Sequence, residues 1–113
     1  KASGYILHQG NKLAERFNAQ SYWLLTKSMD SHNIARGRFD SLEKALKQIH
    51  QPTLVIGIDT DILCPVAEQK FLTEHIPNST LHIISSDYGH DGFLVEAETI
   101  SRHLFEWMEK HEL

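Results

Sequence analysis

A single cysteine, Cys64, stands in the 113 residues, so no internal disulfide is possible and a reducing, cytoplasmic setting is the simplest expectation. Basic residues are sparse too. The 11 Lys and Arg form no run and are outnumbered by 15 Asp and Glu, for a formal net charge of −4, so no nucleic-acid partner is expected. No apolar stretch approaches the ~20 residues that a membrane span requires, and no signal peptide, internal repeat or low-complexity linker is visible. The eight histidines are scattered, with no H-E-x-x-H and no Cys–His spacing; neither a metal site nor a bound cofactor is expected. The nucleophile motif G-x-S-x-G is missing throughout. The chain opens at Lys1, without Met or an obvious first element, and reads as a piece of something larger.

What remains is the composition of a globular chain, 41% apolar and 23% charged, of a length for at most one domain. Residues 10–30 carry helical spacing through Leu13, Phe17, Tyr22, Leu24, Leu25 and Met29, with a possible break at 18–21 and Ser21 as N-cap. Residues 31–40 are polar and contain Gly37, the pattern of a loop. Asp40 or Ser41 then caps a helix with Leu42, Ala45, Leu46 and Ile49 on one side. Thr53 to Ile58 is a continuous apolar run without alternation, as in a parallel strand buried on both faces. Pro65 opens the next helix, with Ala67, Phe71, Leu72 and Ile76 facing the core. A second strand is predicted over Leu81–Ile84, and one last helix over about 93–109 through Phe93, Ala97, Ile100, Leu104, Trp107 and Met108.

Strand, helix, strand and helix with short turns imply a parallel pair. Two parallel strands alone leave faces and edges uncovered, so further strands are expected from elsewhere and the isolated chain is not expected to be stable.

Chemistry concentrates after the two strands. His90 sits on a turn between Gly89 and Asp91-Gly92, and sites in open α/β sheets form beyond the strand C-termini. Imidazole is the natural general base for a hydroxyl at neutral pH. Asp59 and Asp61 end the preceding strand, and an acid there can fix the imidazole tautomer. Asp61, in Asp-x-x-x-Pro, is the favoured partner, and Asp59 is expected to bind loop backbone. Asp91 either caps the last helix or offers a carboxylate to a substrate ammonium. Cys64 reads as a small buried hydrophobe rather than a nucleophile. Arg36 and Arg38, flanking Gly37, could grip a phosphate or carboxylate, and the favoured reading is a solvated loop.

These residues resemble the C-terminal portion of the homoserine O-acetyltransferase family. The matching segments are Gln9-Gly10-Asn11-Lys12-Leu13 with Arg16-Phe17-Asn18-Ala19, Met29-Asp30-Ser31-His32-Asn33 with Arg36-Gly37-Arg38, Pro52 to Asp61, and Tyr88-Gly89-His90-Asp91-Gly92-Phe93-Leu94. Asn33 and Gly92 depart from the usual family residues. The resemblance implies an α/β fold: the C-terminal part of an α/β-hydrolase core over 39–113, preceded by the end of a helical lid and homodimer region over 1–38. It implies Asp61 and His90 as catalytic acid and base, and Asp91 as the carboxylate that receives the homoserine amine. Acetyl-CoA and L-homoserine would be the substrates, in methionine biosynthesis. The serine nucleophile would lie in the remaining N-terminal part, leaving this stretch inactive by itself. Alternatives are a homoserine O-succinyltransferase, a plain α/β-hydrolase such as an esterase, and a non-catalytic assembly module.

Overall fold

A computed structural model describes residues 2–112, which divide into two compact units on either side of the Ile34–Ala35 bond. The first unit is two helices, α1 (Ala2–Arg16) and α2 (Ala19–Asp30). Helix α1 begins well before the predicted start at residue 10. The cap between them is Asn18, not Ser21: extended backbone at Asn18 lets its Oδ1 accept from the Ser21 N–H at 2.7 Å. Ser21 is therefore inside the first turn. Phe17 and Tyr22, on either side of this cap, meet edge to face at 6.2 Å, which is the hydrophobic staple that sets the chain's entry into a helix. No residue of either helix is buried.

The second unit holds the sheet. Helix α3 (Leu42–Leu46) starts at Ser41, whose hydroxyl accepts from the Lys44 N–H. Strands β1 (Thr53–Ile58) and β2 (Ser79–Ile84) pair in parallel, from Thr53 opposite Ser79 to Ile58 opposite Ile84. Helix α4 (Val66–His75) connects them and packs on both. At the strand starts, the Thr53 N–H donates to the Asn78 carbonyl and the Asn78 amide to the His50 carbonyl. The two-stranded pair is the whole sheet among the described residues.

The core is small: Ala35, Ala45, Leu46, Val55, Ile58, Ile76 and Ile84. Several residues predicted to be inside are not. Leu42, Ala67, Phe93 and Leu104 are exposed, because two strands present too little surface to cover four helices. The predicted final helix is two: α5 (Gly92–Val95) and α6 (Ala97–Lys110), broken at Glu96, whose ψ of 31° leaves the helical range.

Candidate active site

Both strand ends lead into loops that bind each other. After β1, the Asp59 Oδ1 accepts from the Ser86 N–H at 3.0 Å, the backbone role expected of it. Thr60 Oγ1 donates to the Ser86 carbonyl and accepts from the Gly89 N–H at 3.1 Å. Ser86 is buried, and its hydroxyl accepts from the Tyr88 N–H at 3.3 Å. Gly89 takes φ +57°, a left-handed conformation that a side chain disfavours. It turns the chain out of the strand and into the short 3-10 turn Gly89–Asp91. Gly92 is needed for a different reason. A Cβ there would stand 2.9 Å from Ile58 Cγ2 and 3.1 Å from Ser86 Oγ.

Asp61 is buried, and its two oxygens have separate tasks. Oδ1 accepts from the N–H groups of Leu63 at 2.8 Å and Cys64 at 3.0 Å, an Asx-type turn that locks the carboxylate. Oδ2 faces the His90 Nδ1 at 2.8 Å. The Cys64 N–H foremost, aided by His90 and the Leu63 N–H, holds the Asp61 carboxyl below the usual aspartate range against the opposing effect of burial. Asp59 is likewise lowered, chiefly by the Ser86 N–H. An ionised carboxylate facing Nδ1 keeps the ring proton on that nitrogen.

His90 is more open, with 42% of its side chain exposed against 6% for Asp61. Phe93 meets its ring edge at 5.4 Å. With Nδ1 turned to Asp61, Nε2 makes no hydrogen bond among the described residues, and His90 lines a cleft with Asp61, Cys64, Gln69 and Phe93. A buried carboxylate, a tautomer-fixed imidazole and an open nitrogen can together take a proton from a hydroxyl brought into that cleft.

The structure thus joins Asp61 and His90, which lie 29 residues apart in sequence. Asp91 follows His90 directly in the chain but is not among the residues that line the cleft. It is exposed and occupies the N-cap position of α5 without a side-chain cap bond. Cys64 is exposed, against the expectation of burial, because the Asx turn carries it away from the core onto the cleft wall. Arg36 and Arg38 are exposed, as expected. Sequence reading missed Thr60 and Ser86, which tie the loops together. A hydroxyl residue just beyond each strand end was the available signal.

No family model matches the chain. Curated proteins do. It is 48% identical over 103 residues to the homoserine O-acetyltransferase of Salinibacter ruber, covering 91% of this chain and 29% of that protein. It is 51% identical over 100 residues to that of Cyclobacterium marinum (88% and 28%), and 42% identical over 107 residues to that of Saccharomyces cerevisiae (95% and 22%). The chain spans less than a third of the length of these relatives. The parallel pair with its flanking helices is the C-terminal part of an α/β-hydrolase fold. Over about nine-tenths of its length the chain is thus similar in sequence to the homoserine O-acetyltransferases, consistent with a C-terminal portion of such a protein.

Proposed function

We propose that this chain supplies the acid and base of an acyltransferase that moves an acetyl group from acetyl-CoA to the hydroxyl of L-homoserine, a step of methionine biosynthesis. The observation that carries the reading is the 2.8 Å contact of a buried, locked Asp61 with the His90 Nδ1, in a chain whose relatives bear that enzyme's name. The serine belongs to the remaining N-terminal part of the protein, residues 1–38 to the end of a lid that also forms a homodimer contact, and the whole to the cytoplasm.

The His90 Nε2 takes the serine proton as the hydroxyl attacks the thioester carbonyl, and returns it to the departing CoA sulfur. The acyl group then rests as an ester on the serine. In the second half, Nε2 takes the proton of the homoserine hydroxyl as that oxygen attacks the ester, and the proton passes to the serine oxygen. Asp61 stays ionised throughout and stabilises the imidazolium that forms twice. Asp91, exposed beside the base and engaged in no cap bond, is the carboxylate proposed for the homoserine amine. Closing the site against water keeps the acyl-enzyme from hydrolysing before the acceptor arrives.

The test offers acetyl-CoA and L-homoserine to the whole protein carrying these residues and follows CoA release and O-acetylhomoserine together. Stoichiometric product is expected, with D61N lowering kcat by about 10⁴-fold, as loss of a triad acid does. Free acetate in place of O-acetylhomoserine would overturn the transfer reading in favour of a hydrolase.

A further inference from the structure

The Asx turn that locks Asp61 also presents Cys64 at the cleft, and one potential ligand atom from each of Asp61, Cys64 and His90 lies within 4.8 Å of the others. We propose that these three side chains form a site for a thiophilic divalent cation of the zinc class, and that its occupancy shuts off the base. The shut-off rests on the acyl-transfer reading; the binding does not.

Thiolate, imidazole and carboxylate are the zinc ligand types, with bonds of about 2.0–2.3 Å. Around one tetrahedral ion such atoms stand roughly 3.3–3.7 Å apart. Closing 4.8 Å to that separation needs side-chain adjustment, and the exposed Cys64 and part-exposed His90 are free to make it. The Asp61 Oδ1 stays on the Leu63 and Cys64 N–H groups, so Oδ2 is the oxygen offered to the ion. On binding, the Cys64 thiol loses its proton to solvent.

The imidazole loses its function whichever nitrogen ligates. An ion on Nε2 occupies the lone pair that would accept the hydroxyl proton. An ion on Nδ1 displaces the hydrogen bond to Asp61 and leaves the ring's one proton on Nε2, which can then accept nothing. Sequence spacing hides the site, because Asp-x-x-Cys meets its histidine only through the parallel pairing of β1 and β2.

Cobalt(II) is the probe, added to the reduced whole protein carrying this stretch. A near-ultraviolet thiolate-to-cobalt band is expected in the wild type, absent from C64S and from C64A, and bleached by zinc. Zinc is expected to inhibit the wild type, and C64S, measured against its own zinc-free rate, is expected to need at least about 10-fold more zinc for the same fractional inhibition, since loss of a ligand costs no less than loss of a ligand's supporting partner. A band equally strong in C64S and C64A, or no band in excess cobalt, would overturn the site. If the cobalt band behaves as expected while H90A leaves acyl transfer intact, the cation site stands and the catalytic reading falls.

Discussion

Residues 2–34 form two helices without one buried side chain, whereas every buried residue among those described lies between Ala35 and Gly92. The contrast is one of how structure is held. In the first unit the determinants are local: Asn18 closes a cap, Phe17 and Tyr22 staple it, and Tyr5, Ile6, Leu7, Trp23 and Leu25 remain more than half exposed. In the second, segments distant in sequence meet in one core, so that two loops and the Asp61–His90 pair are held by long-range pairing. Helices of 15 and 12 residues are marginal alone in water, and contiguous exposed apolar surface marks an interaction face. The helical unit takes its form from local rules and needs cover from elsewhere to keep it.

Substitutions in the two units can break or sharpen this contrast. The largest effect is expected from Ile84→Ala at the end of β2, about 2–5 kcal/mol by the usual cost of a truncated core residue. The matching Ile6→Ala in α1 is expected within about 0.5 kcal/mol. Denaturant titration of the same protein compares them; equal losses would mean that α1 is packed in solution. Gly89→Ala is expected to cost roughly 1–2 kcal/mol for its left-handed backbone and to weaken the Asp61–His90 contact, which appears as a changed imidazole chemical shift. Asn18→Ala is expected to cost about 1 kcal/mol, confined to the first unit and visible as lost helical circular dichroism while the sheet signal is unchanged.

The smallest expected effect is acidic. Asp59 and Asp61 have folded pKa values below their ordinary values, so the unfolded chain binds protons first. Their contribution is complete above the ordinary aspartate value and is lost as pH falls from there through the lowered folded values. D61N should flatten that acid limb in a pH series of melting temperatures, leaving the slope of the helical unit alone.

The strands were legible because unbroken apolar runs without alternation have few other homes, and the cap of α3 was narrowed to Asp40 or Ser41, of which Ser41 is the one that bonds the Lys44 N–H. The partnership of Asp61 with His90 was legible because both follow such runs, and parallel strands carry their C-terminal ends to the same side. Other features depended on what was not local. The opening of α1 carries Gly4 and Gly10 and exposes its apolar residues, so it lacks the pattern of a helix covering a core. Ser21 and Asn18 are both capping types, and only backbone dihedrals separate them. Cys64 looked like a buried hydrophobe until the Asx turn fixed its direction, and the break at Glu96 left the apolar periodicity unmarked.

Thr60 is hydrogen-bonded to both Ser86 and Gly89, and the Asp59 carboxylate accepts from the Ser86 N–H of the same stretch. Asp61 and His90 therefore sit on two loops braced against each other. A displacement that moves one loop carries the other with it, so the 2.8 Å contact survives movements that would part side chains on independent loops.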